Sequence, residues 1–412
     1  MVKVDGLRCE EPSDEFRRGR DRRGSAVEGA TEHGCALAHD YLLVNRGAER
    51  TFEVMADCFP DAPIYTLLYD EVATERRYAD REIRTSQLQR LGVTQERFRR
   101  LLPAYPLAVR TLRPRAQLVV SSSSAFAHAI RPAAGAVHVC YCHSPFRYAW
   151  HDRSRALRIT PRWARPALEV VLAGVRASDR AAAAHVDHFI ANSEITRERI
   201  ARYWNRDSTI IHPPVDVDRF TPGEAEDWIL VVGELVAHKR VEHALAAARL
   251  SGSRMKVVGA GPDRGDLERR YGGDPAIEFV GRVDDEALAG LYARARAVVV
   301  PCVEEFGIVA VEAQAAGRPV ISVDAGGARE TIVPDQTGVL VPPDDIDALA
   351  EAMRDVDFDA FDSDAIVAQA RRFSVQVFRA RLRAELERST GLTLGQPAPA
   401  PTVACEHGRR GS

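Results

Sequence analysis

The chain has 412 residues, of which 45% are hydrophobic, and its formal net charge at pH 7 is −3. This length predicts two domains, and the charge argues against a protein whose partner is nucleic acid. The seven cysteines are odd in number and scattered, which is typical of reduced thiols in a cytoplasmic protein. No apolar run reaches the length of a membrane span, and the first residues lack the apolar core of a secretory signal.

The two ends of the chain differ in composition from the rest. Residues 1–34 are charged and rich in glycine and contain a basic run at 17–23, which predicts a disordered tail. A basic arm that binds acidic membranes is the alternative. Residues 391–412 contain alternating prolines at 397–401 and also predict a disordered tail.

Between the tails, short apolar runs alternate with helical patterns, which indicates parallel, doubly wound α/β sheets. In the first half, strands are predicted within 35–38, 62–68, 117–121, 137–142 and 188–191. The first of these leads through Asp40 to a turn at Arg46 and Gly47 and then to a helix. Such a strand, glycine loop and helix is the usual opening of a Rossmann-like domain.

A loop with polar and aromatic residues, 141–150, follows the fourth of these strands. His143 stands just past the carboxyl end of the strand, where parallel sheets bind their ligands; a structural histidine is the alternative. The neighbouring Cys140 and Cys142 have no second ligand pair at zinc spacing, so we expect no metal site.

Arginines, leucines and aromatic residues interleave from Arg97 to Leu107. This pattern predicts either a helix that packs on the sheet with its arginines in solvent or a patch that contacts an anionic inner leaflet.

A proline pair, Pro213 and Pro214, marks a linker, after which the alternation of strands and helices starts again. Strands are predicted within 228–233, 255–258, 277–283, 297–300, 319–322 and 338–341, and Ser374 is the expected cap of a final helix. Lys239, one of only three lysines, precedes a predicted helix and is suited to meet a diphosphate as a point charge. The glycine turn at 259–261 lacks the third glycine of a dinucleotide fingerprint, which argues against NAD.

The strand at 297–300 leads into a loop and a helix that carry two carboxylates. Glu304 precedes the helix predicted over 309–316, and Glu312 lies inside it. The N–H groups at such a helix start bind phosphates and sugar hydroxyls. A carboxylate on each side can accept from two sets of hydroxyls on one extended ligand; an ordinary helix start with a solvated glutamate is the alternative.

The spacing of Glu304 and Glu312, with seven residues between them, resembles the Glu-x7-Glu motif of retaining family-4 glycosyltransferases with the GT-B fold. The resemblance extends over roughly residues 35 to 390. It implies two Rossmann-like domains that face each other across a cleft: an acceptor domain at 35–212 and a nucleotide-sugar domain at 213–372. A C-terminal helix at 373–390 would cross back to the first domain. The loop 141–150 resembles that of a bacterial subgroup that includes O-antigen mannosyltransferases.

This resemblance implies transfer of a hexosyl group from a nucleotide sugar to a glycan or lipid-linked acceptor in cell-surface polysaccharide synthesis. Retention of the anomeric configuration, no metal and no other cofactor are implied, with GDP-mannose as the first expected donor and a UDP-hexose as the second. A cytoplasmic location, with peripheral contact to the inner leaflet, is expected. The implied catalytic residues are His143 and Glu304. The implied donor-binding residues are Gly47, Lys239, Arg240, Val283, Phe306, Gly307, Ile308, Glu312, Gly326 and Gly327. Asp40, Arg147 and Tyr148 are implied on the acceptor side.

Two residues depart from the family pattern. Arg46 stands at the first glycine of the family's Gly-Gly-Ala-Glu loop, and Glu234 stands where the family usually has a phosphate-binding arginine. Because a carboxylate does not bind phosphate, Lys239 and Arg240 are expected to carry more of that charge. Two other classes stay open, a non-catalytic protein that binds nucleotide sugars and an NAD-dependent oxidoreductase.

Overall fold

Two parallel sheets organise the residues that the computed structural model describes, 33–92 and 98–394. The strand orders are β3-β2-β1-β4-β5-β6-β7 and β10-β9-β8-β11-β12-β13. The strands of the first sheet are β1 (His33–Leu42), β2 (Ile64–Tyr69), β3 (Ile83–Thr85), β4 (Ala116–Ser123), β5 (Val137–Cys142), β6 (His188–Ala191) and β7 (Thr209–Ile210). Those of the second sheet are β8 (Ile229–Val232), β9 (Met255–Val258), β10 (Ile277–Gly281), β11 (Ala297–Val300), β12 (Val320–Val323) and β13 (Gly338–Val341).

The helices lie mainly between consecutive strands, which makes the fold α/β and doubly wound, as predicted. Those of the first half are α1 (Gly47–Asp57), α2 (Tyr105–Ala108), α3 (Arg153–Ile159), α4 (Arg165–Ala183) and α5 (Glu194–Trp204). The later ones are α6 (Val241–Ser251), α7 (Arg264–Tyr271), α8 (Asp285–Arg294), α9 (Ile308–Ala315), α10 (Ala328–Thr331), α11 (Ile346–Asp355), α12 (Ser363–Arg371) and α13 (Val375–Thr390). None of the helices in the described part of the chain is long and apolar enough to cross a membrane.

Each sheet is covered on both faces, which explains why its strands are continuous apolar runs. In β11, Val298 and Val300 belong to one buried cluster, and Ala297 and Val299 belong to the cluster on the other face. Successive side chains of a strand point to opposite faces, so all four residues are buried.

Strand order reverses between β1 and β4 in the first sheet and between β8 and β11 in the second. Open α/β sheets bind ligands beyond the carboxyl ends of the strands at such points. The loops after these four strands, and the loop after β5 that carries His143, line the cleft described below.

The chain returns to the first sheet at its end. The N–H of Val215, in the linker, donates to the carbonyl of Phe373 at 2.9 Å, so the two connections between the sheets run side by side. Ser374 caps α13 by accepting from the N–H of Val377 at 3.3 Å, as expected from the sequence. Phe378 and Leu382 of this helix are buried in a core cluster of the first sheet.

Several boundaries differ from the prediction. β1 starts at His33, inside the tail predicted for residues 1–34, and it continues through Asp40 to Leu42. The rest of that tail, and residues 395–412 of the other predicted tail, lie outside the described residues. The edge strands β3 and β7 were not predicted.

The predicted membrane patch from Arg97 to Leu107 is for the most part packed inward. Arg97 lies outside the described residues, Tyr105 is fully buried, and Leu101 and Leu102 pack against the core of the first sheet. Leu107 is exposed. The packing of these apolar residues agrees with the helix-packing alternative, and the side chains of residues 97, 99 and 100 lie outside the described part of the structure.

Candidate active site

A cleft of about 640 Å³ lies between the two sheets. Its walls come from residues that end or follow strands of both sheets, at the positions expected for ligand sites in parallel sheets. The predicted site residues that line it are Gly47, His143, Arg147, Lys239, Val283, Glu304, Phe306, Gly307, Ile308 and Glu312. The other predicted residues, Asp40, Tyr148, Arg240, Gly326 and Gly327, are not part of this lining.

His143 follows β5 and is held by polar contacts on both its side chain and its main chain. Its Nε2 lies 2.8 Å from Oγ of Ser122, and the same hydroxyl lies 3.1 Å from Nδ1 of His39. Its carbonyl accepts from the hydroxyl of Thr196 at 3.1 Å. Burial, followed by the nearby His39, lowers the pKa of His143 to about 3, so the imidazole is neutral at pH 7. Among the described residues, none hydrogen-bonds to its Nδ1, which is therefore available to a ligand.

Lys239, an expected donor-binding residue, and Glu304, an expected catalytic residue, are paired with each other. Nζ of Lys239 lies 2.5 Å from Oε1 of Glu304, and the thiol of Cys302 lies 3.2 Å from the same oxygen. Burial opposes the charged ammonium, but Glu304, with smaller contributions from Cys302 and Glu305, outweighs this effect and the pKa of Lys239 is raised. A phosphate that binds Lys239 must therefore compete with Glu304.

The loop that carries Glu304 turns into α9 at Gly307, whose φ of +93° favours glycine. Gly326 and Gly327 pack against the backbone of this loop. A Cβ on Gly326 would stand 2.3 Å from the carbonyl oxygen of Glu304, and one on Gly327 would stand 2.1 Å from that of Phe306, so only glycine permits this close approach. The two glycines, expected to face the donor, are not part of the cleft lining.

Glu312 lies in α9 and is buried at the wall of the cleft. Its Oε2 accepts from the hydroxyl of Tyr292 at 2.9 Å. Its Oε1 faces the guanidinium groups of Arg50, at 3.6 Å, and Arg219, at 4.0 Å. Burial raises the pKa of Glu312, and the contacts with Tyr292 and the two arginines oppose that shift.

Three other predicted site residues have different surroundings from those expected. Both carboxylate oxygens of Asp40 accept from backbone N–H groups of 124–127, at 2.5–2.9 Å, so this buried side chain holds the turn after β4. The guanidinium of Arg240 lies 3.3 Å from the carboxylate of Asp344, although Lys239 beside it lines the cleft. The ring of Tyr148 packs edge-on against Phe146.

Sequence reasoning missed Glu305, which is next to Glu304. Its carboxylate accepts from Arg199 at 2.9 Å and lies 3.8 Å from Arg147 and 3.9 Å from His151, all from the first half. Burial favours the neutral acid, but Arg147 and Arg199 outweigh it and the pKa of Glu305 is lowered. Because its partners come from distant segments, no local pattern could have indicated this cluster.

A second contact between the halves was also missed. By its position Asn192 or Ser193 would cap α5, but the hydroxyl of Ser193 donates to the amide oxygen of Asn192 at 2.9 Å. The N–H of Glu194 at the helix start instead donates to the carboxylate of Glu330, from the second half, at 2.9 Å. The other oxygen of Glu330 lies 2.8 Å from Nε2 of His212.

Comparison with known families adds to this geometry. Residues 216–372 match the family described as "Glycosyl transferases group 1", and residues 46–219 match "Glycosyltransferase Family 4". Neither match alone covers half of the chain, but together they span residues 46–372, so the chain is similar to the family-4 glycosyltransferases over most of its length. Its two Rossmann-like sheets, with the cleft between them, form the α/β GT-B fold.

Individual relatives match over part of their length. The D-inositol 3-phosphate glycosyltransferase of Mycobacteroides abscessus is 32% identical over 192 residues, 40% of this chain and 43% of that protein. The glycogen synthase of Mycobacterium tuberculosis is 36% identical over 162 residues, 36% of this chain and 39% of that protein. The chain thus matches less than half the length of these curated relatives.

The structure of HepE from Anabaena, in complex with UDP, resembles this chain over almost all of its length. The TM-score is 0.63 with 17% sequence identity, and the match covers 86% of this chain and 100% of HepE. At this identity the likeness concerns the fold.

Proposed function

We propose that the protein transfers a hexosyl group from a nucleotide sugar to a glycan or lipid-linked acceptor, with retention at the anomeric carbon. The observation that carries this proposal is the convergence of His143 from one half and Lys239, Glu304 and Glu312 from the other on one cleft. Its volume of about 640 Å³ is in the range of small-molecule sites.

The second half supplies the donor contacts in this proposal. Lys239 and the first N–H groups of α9 hold the diphosphate and stabilise the charge that develops on it when the sugar leaves. Glu304 turns to the sugar hydroxyls as the phosphate takes over the ammonium of Lys239. Glu312 accepts from the ribose hydroxyls through Oε1, because its Oε2 already accepts from Tyr292.

His143 holds the sugar from the first half. A neutral imidazole with Nε2 directed to Ser122 presents Nδ1 to a sugar hydroxyl or to the leaving oxygen. Among the described residues of the first half that line the cleft, none is an aspartate or glutamate. No carboxylate on that wall can act as a nucleophile, which supports a front-side reaction. In that reaction the bond from C1 to the phosphate oxygen breaks, the bond from C1 to the acceptor oxygen forms on the same face, and the acceptor proton passes to the departing phosphate.

The site residues constrain the type of reaction more than they constrain the sugar and the base of the donor. The loop 141–150 favours GDP-mannose as the first donor to test, and a UDP-hexose is the second. Calorimetry with GDP and UDP separates the two bases before any acceptor is known.

Contact with an anionic membrane is part of the proposal, and the structure favours a different surface from the stretch that ends at Leu107. Ile159, Trp163 and Val170 are large apolar side chains that are 74%, 85% and 73% exposed. From residue 152 to residue 170 the chain carries five arginines and two acidic residues, Asp152 and Glu169, and Glu169 pairs with Arg153. Exposed apolar residues among arginines fit the headgroup region of an anionic leaflet.

The test is incubation of the protein with a panel of nucleotide sugars and simple glycan acceptors, with and without EDTA, followed by measurement of nucleotide release and of the anomeric configuration by NMR. We expect release from one donor, an unchanged rate in EDTA, and a product with the configuration of the donor. Nucleotide binding without release from any donor would favour the non-catalytic class. An inverted product would refute the front-side reaction.

A further inference from the structure

Arg46 and Glu234 face each other across the cleft. Nη2 of Arg46, before α1, lies 3.5 Å from Oε1 of Glu234, which follows β8 of the other sheet. Both residues line the cleft, and their side chains are 53% and 41% exposed. An ion pair with this exposure contributes little to stability, so a ligand that enters the cleft can displace it.

The main chain at Arg46 is fixed close to the donor loop. Its N–H donates to the carboxylate of Glu49 at 3.0 Å, which holds the start of α1. A Cβ on the next residue, Gly47, would stand 2.9 Å from Cδ1 of Ile308. The Arg46 loop therefore lies against the first residue of α9, where the proposed function places the diphosphate.

Two other cations that line the cleft are paired with better buried carboxylates. Lys239 pairs with Glu304, whose side chain is 23% exposed, and Arg50 pairs with Glu312, whose side chain is 8% exposed. Glu234 is the most exposed carboxylate of these three pairs. Of these three paired cations, Arg46 is therefore the one whose carboxylate partner is most readily replaced by water or by a phosphate.

We propose that Arg46 is a ligand of the donor diphosphate and that Glu234 is the counter-ion which Arg46 leaves when the donor binds. This inference rests on the proposed function. A diphosphate carries more negative charge than a carboxylate, and its oxygens accept two parallel bonds from one guanidinium. Glu234 competes with the diphosphate for Arg46 and so lowers the affinity for the donor.

The test is calorimetry on the wild type, Arg46→Ala, Glu234→Ala and the double variant at low salt, each with UDP, GDP and the corresponding nucleosides. For the better nucleoside diphosphate, we expect Arg46→Ala to weaken binding about tenfold to a hundredfold, the range for a hydrogen bond between charged groups. Glu234→Ala tightens binding about twofold to fivefold because an exposed pair is weak. The double variant equals Arg46→Ala, and nucleoside affinity is the same in all four proteins.

The signs of the two single changes separate this proposal from a bridge that only holds the halves together. A bridge predicts that both single variants bind less tightly, and this result would overturn the proposal, as would unchanged diphosphate affinity in Arg46→Ala. The matched control is Arg269→Ala, whose exposed guanidinium pairs with the exposed Asp266 away from the cleft lining, and it should bind like the wild type. A wild type that binds neither nucleotide would refute the proposed function instead.

Discussion

Replacement of Glu312 tests the proposed donor site most directly. Tyr292 occupies Oε2, and Oε1 is left for a ribose hydroxyl beside Arg50 and Arg219. Loss of one hydrogen bond to a charged group costs about 1.5–3 kcal/mol. We therefore expect Glu312→Ala to raise the Kd for the nucleoside diphosphate roughly tenfold to a hundredfold.

The same change also disturbs the fold, and this effect must be separated from binding. Alanine leaves the buried hydroxyl of Tyr292 without an acceptor, which costs about 1–3 kcal/mol of stability. The double variant Glu312→Ala/Tyr292→Phe removes donor and acceptor together, so most of the stability returns while the binding loss remains. Glu312→Gln keeps an acceptor for Tyr292 but removes the charge, and it should show a smaller loss of affinity.

Calorimetry with UDP and GDP gives the affinities, and thermal unfolding followed by circular dichroism gives the stabilities. Wild-type affinity in the double variant would refute the reasoning, because Glu312 would then serve only as the acceptor of Tyr292. A loss of affinity that follows the change in melting temperature across the variants would refute it as well.

The pH dependence of stability gives a further check on Glu312. Because burial raises its pKa in the folded state, the folded protein binds this proton more tightly than the unfolded chain does. Its contribution to stability is therefore full below the ordinary glutamate pKa and is lost as pH rises through the raised value. The melting temperature of Glu312→Gln relative to wild type should increase over this window.

Three other outcomes are expected. His143→Ala should reduce turnover roughly a hundredfold or more, as for a lost positioned catalyst, and leave nucleoside diphosphate affinity nearly unchanged. Ser122→Ala should reduce turnover less. Wild-type turnover in His143→Ala would show that His143 has only a structural role. Burial holds the pKa of His138 and of His143 at about 3, below the value in the unfolded chain. The free energy of unfolding should therefore fall as pH drops from about 6.5 toward 3, by up to about 1.4 kcal/mol per unit for each histidine, and His138→Gln should flatten this slope in thermal unfolding. Trp163→Ser should lower co-sedimentation with anionic vesicles at low salt. Val72→Ser, at a residue that is 78% exposed on another part of the surface, should not. Absence of vesicle binding by the wild type would refute the membrane proposal.

The central strands were predictable because burial on both faces produces a run of apolar residues that the sequence shows directly. β5, β6, β11 and β13 have the predicted bounds. The missed strands β3 and β7 have three and two residues, which are only half-buried, so neither shows an apolar run. β1 was predicted too short because Asp40 is polar, although its carboxylate is satisfied by four backbone N–H groups of the 124–127 turn.

The site residues that could be predicted are those whose position directly after a strand places them at the cleft. His143, Lys239 and Glu304 each follow a strand, and all three line the cleft. Contacts between distant segments were not predictable, since spacing along the chain carries no information about them. The cap of α5 illustrates this: Ser193 has the local position of a cap, but Glu330 reaches the helix start from the other half.

The contact between Arg46 and Glu234 changes the interpretation of both residues. Considered singly, each departs from the family pattern and argues for weaker phosphate binding. In the structure they form one pair, so a guanidinium that the family usually places in the second half comes from the first. A diphosphate that Lys239 and Arg46 hold together is therefore bound by both halves of the protein. Donor affinity should then depend on the relative position of the two halves. Two contacts hold the halves together, Glu305 with Arg199 and Glu330 with His212, so changes at these contacts should alter donor affinity.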